Sequence, residues 1–134
     1  MQTKKLIVIA ALMARTAHAG IITEELVDAQ IERESAGNPS AIGLAGEVGL
    51  GQIKDVVVLD LVREYGWKIT TADRFCPKKN RAMTRGFLVL TERRLAQALR
   101  RQPTRREIEG AYRMGLEGFL RAAYRTSTKT RKAA

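Results

Sequence analysis

The sequence predicts a mainly α domain, on three observations. Apolar residues recur at helical spacing in separate segments; Ile53, Val57, Leu61 and Tyr65, for example, stand four residues apart. Helix punctuation falls at the ends of such segments, with Thr23 ahead of Glu24 and Glu25, and Gly66 directly after Tyr65. Thr104 and Glu107 form a capping box, in which hydroxyl and carboxylate each serve an orphan backbone N–H. At 134 residues, 45% of them hydrophobic, the chain fits one domain with a single core.

Taken in order, residues 1–19 read as an export signal. Lys4 and Lys5 give a positive start, 6–14 is a short apolar run, and Ala17-His18-Ala19 offers a small-x-small cleavage pattern before Gly20. That run is too short to span a bilayer as a helix. An uncleaved N-terminal helix is the alternative. Cleavage would remove His18, the chain's one histidine, so a histidine-dependent mechanism is not expected.

The folded domain then covers 20–124. Residues 23–35 read as a helix with Thr23 as N-cap and Gly37 just past its end, stopped by Asn38-Pro39. Glycines at 43, 46, 49 and 51 break any long element, so 41–51 reads as a loop or a small β-tongue whose backbone can approach a ligand closely. A helix over 52–65 follows, although Val56-Val57-Val58 locally favours a strand. Residues 73–80 form a turn-rich connector carrying Pro77, after which 82–101 is helical with Met83, Phe87 and Leu90 on one core stripe. The last helix starts at the capping box, with Ile108, Ala111, Tyr112, Gly115 and Phe119 along one face. The basic stretch 125–134 lacks apolar periodicity and is expected to be a disordered tail.

A net charge of +10 implies attraction to polyanions, whether nucleic acid, an acidic membrane surface or an anionic wall polymer. Aromatic residues are only 5% and zinc-type Cys/His spacing is absent, so base-stacking platforms and fingers lack their raw materials. No specific nucleic acid is expected. Arg93, Arg94, Arg100, Arg101, Arg105 and Arg106 form either a polyanion-binding surface or an ordinary solvated face. The single cysteine, Cys76, excludes an intramolecular disulfide, and its neighbour Phe75 favours plain burial.

Chemistry announces itself in residues 34–53, ESAGNPSAIGLAGEVGLGQI. Val27, Ile31 and Glu34 stand at i, i+4 and i+7, so one helical stripe carries two apolar residues and then an acid. Glu34 is thereby placed to feel an apolar wall, and desolvation raises a carboxyl pKa. Glycoside cleavage needs such an acid, protonated near neutral pH. The plain alternative is a solvated glutamate at a helix end.

Glu34-Ser35, Asn38-Pro39 and Ala41, then Gly49-Leu50, Gln52 and Ile53, resemble the catalytic core of soluble lytic transglycosylases and related lysozyme-like domains. Ala111, Tyr112 and Gly115 echo that family's Ala-Tyr-Asn motif more weakly, and the resemblance covers about 21–124. It implies a compact lysozyme-like fold with the tongue beside an active-site cleft. Glu34 would be the catalytic acid/base, and Ser35, Gly49, Leu50, Gln52 and Tyr112 would line the glycan groove. No cofactor or metal is implied. The partners would be peptidoglycan glycan strands, in a monomer exported to the periplasm or cell envelope, opening the wall locally for a secretion, conjugation or phage-entry apparatus.

Three residues depart from the family pattern: Gly51 where Met is frequent, Arg113 where Asn is usual, and Glu47 where a small or neutral residue is common. The first is expected to lose an apolar groove contact, the second to alter how the intermediate is held. Glu47 is a candidate second carboxylate. The implied reaction cleaves the β-1,4 bond between N-acetylmuramic acid (MurNAc) and N-acetylglucosamine (GlcNAc) and closes a 1,6-anhydro ring. Lysozyme-type hydrolysis of the same bond stays open while Glu47 does, as does a non-catalytic basic module that binds wall polymer or nucleic acid.

Overall fold

A computed structural model describes residues 21–133, so the export signal expected over 1–19 lies outside the described residues. Five α-helices make up the described part: α1 Glu24–Ser35, α2 Asp55–Tyr65, α3 Pro77–Leu99, α4 Arg105–Met114 and α5 Leu116–Ala133, with a 3-10 turn over Thr71–Phe75. The domain is mainly α, as the sequence predicts. Among the described residues, no helix is long and apolar enough to cross a membrane.

α3 is the central element. At 23 residues it is on the order of 35 Å long, and α1, α2 and α4 all pack on it. Two apolar clusters flank it. Leu26, Val27 and Ile31 of α1 meet Leu88 and Leu95 of α3 and Ile108, Ala111 and Tyr112 of α4, while Val57, Val58 and Leu61 of α2 meet Met83. Phe87 packs against both. The apolar stripe residues expected on the helices are thus buried or packed against these clusters, except Gly115, which is exposed, and burying each large aliphatic side chain contributes about 1.5–3 kcal/mol.

Helix punctuation falls where the residue chemistry puts it. Thr23 Oγ1 accepts from Leu26 N at 3.2 Å, and the capping box closes with Thr104 N donating to Glu107 Oε2 at 2.7 Å. The Glu107 carboxyl, bonded by Arg101 and by the Thr104 N–H, is pushed down to about 2. α2 ends on Gly66 in the left-handed region, with its N–H on Val62 O. At the end of α1 that conformation falls on Ala36, one residue before Gly37.

Four boundaries differ from the sequence reading. α2 starts at Asp55, because Gln52 takes φ 49° and Ile53 pairs with Val48. α3 starts at Pro77: proline at the first helical position costs nothing, since its missing N–H would be an orphan there. The last helix is broken in two by Gly115 at φ 75°, ψ 155°. The tail expected to be disordered over 125–134 is instead helical to Ala133. Thr126, Thr128 and Thr130 return their hydroxyls to the carbonyls four residues earlier, and Arg131 and Lys132 suit the negative helix end.

Cys76 is only half-buried, so the burial expected of it is partial, and its neighbour Phe75 is exposed. Pro77 pulls Cys76 into the N-cap position, at the rim of the fold.

Candidate active site

Glu34 lies in the last turn of α1 and is half-buried, with the buried Val27 and Ile31 on its own stripe. Burial is the largest influence on its carboxyl and raises the pKa above the ordinary carboxylate value. A hydrogen bond from Gln30 and the charges of Arg33 and Arg113 pull it back, and the charge of Glu47 adds a small push upward. Gln30 Nε2 donates to Glu34 Oε1 at 2.7 Å, and Arg33 Nη2 donates to Gln30 Oε1 at 2.9 Å. Arg33 also reaches across to Glu109 of α4 at 3.0 Å.

Facing this helix end is the glycine-rich tongue. Single-residue antiparallel bridges join Ile42 to Val48 and Val48 to Ile53, so the segment is a small β-tongue with very short pairing. Such short pairing cannot order a loop by itself. Its order comes from side chains outside it. Asn80 of α3 is wholly buried; its Oδ1 accepts from Gly51 N at 2.9 Å, and its Nδ2 donates to Val48 O at 2.8 Å and Arg74 O at 2.9 Å. Arg74 Nη1 donates to Gly46 O at 3.1 Å and Ile53 O at 3.0 Å, while Nη2 pairs with Asp55 at the start of α2 at 2.7 Å. Ser35, next to the acid, donates from Oγ to Leu50 O at 2.8 Å and so fastens the end of α1 to the tongue.

Gln52 takes the left-handed conformation, which costs a non-glycine residue about 1 kcal/mol or more. Its Nε2 offsets this by donating to Gly49 O at 3.0 Å and Ala41 O at 3.2 Å, closing the tongue on itself. Gly49 has φ 77° and lies against Asn80, where a Cβ would meet Nδ2 at 2.4 Å. Only glycine suits both constraints.

Tyr112 is buried, its ring 4.7 Å from that of Phe87 and its hydroxyl donating to Gly51 O at 2.7 Å. Burial and, less strongly, the negative charge of Glu34 raise its pKa. Gly49 and Tyr112 were expected as groove contacts. Both are instead buried, Gly49 against Asn80 and Tyr112 with its hydroxyl on Gly51 O. The expectation for Gly51 also changes. A Cβ there would meet Thr84 Oγ1 at 1.9 Å and the Tyr112 hydroxyl at 2.9 Å, so position 51 faces the interior and not a groove.

Glu47 is half-buried with its carboxylate folded over its own turn, where Oε2 accepts from Ala45 N at 2.9 Å. A Cβ on Gly43 would meet its Cδ at 2.2 Å. Arg113 is exposed on α4, near enough for its charge to be felt at Glu34. Among the arginines read as a polyanion surface or a solvated face, Arg93 and Arg94 pair with Glu64, Arg101 with Glu107 and Arg105 with Glu109. Those four serve the chain's own carboxylates, which favours the plainer reading.

Glu34, Ser35, Leu50, Gln52 and Tyr112 therefore gather where the end of α1 meets the tongue. Gln30, Arg74 and Asn80 belong with them and were missed by sequence reasoning. Gln30 carried a signal, standing one helical turn before the acid. Arg74 and Asn80 bind the tongue across separations of 21 to 32 residues and carried none.

The family model described as Transglycosylase SLT domain matches residues 12–134. No curated protein and no solved structure gives a match. The family match spans nearly all of the chain, including the acid, the tongue and every described helix. The chain belongs to the transglycosylase SLT family, lysozyme-like catalytic domains of the lytic transglycosylase type that act on peptidoglycan.

Proposed function

We propose that this protein cleaves the β-1,4 bond between MurNAc and GlcNAc in peptidoglycan strands and closes a 1,6-anhydro ring on the muramoyl product. The observation that carries this reading is the half-buried Glu34 carboxyl, raised by burial and set against a tongue whose backbone is pinned. Glu34 gives its proton to the glycosidic oxygen as the C1–O bond breaks. Its carboxylate then takes the proton of the muramoyl 6-hydroxyl, and that oxygen bonds to C1. The proton returns to Glu34 and no water is consumed, so one acid serves both halves. Acid/base work of this kind contributes about 10²–10⁴ in rate. Positioning of the sugar by the groove supplies much of the remainder.

Hydrolysis is the second reading, because the charge of Glu47 is felt at Glu34. Against it stands the commitment of the Glu47 carboxylate to the Ala45 N–H. The proposed setting is the periplasm or cell envelope, and the proposed unit a monomer. Mass spectrometry of the products from purified peptidoglycan tests the reaction. Anhydro-muropeptides support ring closure, and reducing ends would overturn it in favour of hydrolysis. Glu47→Gln, which keeps an oxygen to accept from Ala45, should retain activity within a few-fold.

A further inference from the structure

We propose that Gln30 is a positioning residue that decides which oxygen of Glu34 carries the catalytic proton, and that this oxygen is Oε2. The inference deepens the proposed function and rests on Glu34 being its acid/base. Gln30 is 2% exposed and lies one helical turn before Glu34. Its amide meets two charged neighbours at once, with Oε1 2.9 Å from Arg33 Nη2 and Nε2 2.7 Å from Glu34 Oε1.

A guanidinium can only donate hydrogen bonds, so the amide oxygen has to face Arg33. The NH2 of the amide also only donates, and it is left facing Glu34. A flipped amide would set N–H against N–H on one side and oxygen against a carboxylate on the other. Arg33 is held from outside α1: Glu109 of α4 lies 3.0 Å from its Nη2 and is itself bonded by Arg105 at 2.8 Å. A directed chain thus runs from α4 through Arg33 and Gln30 into the carboxyl.

Glu34 Oε1 accordingly receives a fixed donor in every protonation state. The carbonyl-type oxygen of a neutral carboxyl is its better acceptor, so the neutral acid keeps C=O at Oε1 and O–H at Oε2. In the proposed cycle Oε2 gives its proton to the departing sugar oxygen and recovers one from the 6-hydroxyl, while the Gln30 bond stays made. A donor already in place when the carboxylate forms costs no reorganisation. The same bond favours the charged carboxylate and so tempers the effect of burial on Glu34.

The test is the pH dependence of kcat and KM on soluble peptidoglycan fragments for the full chain and for Gln30→Met, which keeps the length and removes the donor. Gln30→Met should lower kcat about 10- to 100-fold with little change in KM. It should also move the alkaline limb of the profile to higher pH, since Glu34 loses a bond that favours its charged form. Gln30→Glu, held ionised by Arg33 and unable to donate, should move the limb further the same way. It decides the matter if Gln30→Met does not melt cooperatively by circular dichroism. A folded Gln30→Met with unchanged kcat and an unmoved limb overturns the inference. An active Glu34→Gln would instead remove the assignment beneath it, so the two failures are distinguishable.

Discussion

The tongue and the last helix are built in opposite ways. Residues 41–53 contain single-residue bridges and no strand among the described residues, yet Ser35, Arg74, Asn80 and Tyr112 all bind their backbone. α5 is 18 residues of regular helix with no buried residue, and the side-chain hydrogen bonds beyond Phe119 stay within the helix, such as Thr126 to Ala122. Regular backbone is thus a poor guide to what is fixed in place. Buried polar side chains with every group satisfied specify the loop beside the acid, and nothing comparable specifies the distal half of α5.

Breaking the tongue should therefore cost most. Asn80→Leu fills the space but removes the side-chain partner of Gly51 N–H and Arg74 C=O and leaves Val48 C=O with Ile53 N–H alone. A loss of about 3–5 kcal/mol is expected, read as a lower urea midpoint. Retention of full stability would mean that the tongue is not held as described.

Next in size is Gly51→Met, which installs the side chain frequent in the family. Against Thr84 and Tyr112 it should overpack the interior by about 1–3 kcal/mol, with partial recovery on adding Thr84→Ala. Improved activity with no loss of stability would instead mean that position 51 opens onto the groove.

The acid should show a stability cost of its own. Burial makes the folded chain bind the Glu34 proton more tightly than the unfolded chain does. Stability contributed by that proton is present below the unfolded value of about 4.3 and is lost as pH rises through the raised folded value. Glu34→Gln avoids the loss and can still accept from Gln30. Its melting temperature should exceed wild type near pH 7 and match it near pH 3, and the reverse order would contradict the burial of the acid.

Smallest of all is the effect expected at α5. A chain ending at Ala123 discards the exposed basic turns and should change stability by less than about 0.5 kcal/mol, with wall cleavage unimpaired. A large drop in melting temperature would show that the distal helix packs on the domain.

What the sequence revealed follows the range of the interactions. Thr23, the Thr104 and Glu107 pair and Gly66 act within four residues, and each marks a helix end where it was expected. Glu34 and the tongue were legible because a local stripe and clustered glycines need no tertiary knowledge. Pro77 misled because proline both ends helices and begins them, and only the fold shows which. The tail misled because apolar periodicity reports burial, and a solvated helix needs none. Asn80 and Arg74 were silent because a buried Asn or Arg is recognised by distant carbonyls it satisfies, and those contacts leave no pattern in the chain.

The central claim is that one half-buried acid, Glu34, performs both proton transfers. Its most direct test is the rate of anhydro-muropeptide release from purified peptidoglycan by Glu34→Gln, with folding confirmed by its melting transition. The rate should fall by about 10²–10⁴ or more while binding to the wall polymer persists. A folded Glu34→Gln that releases anhydro-muropeptides at the wild-type rate would contradict the account.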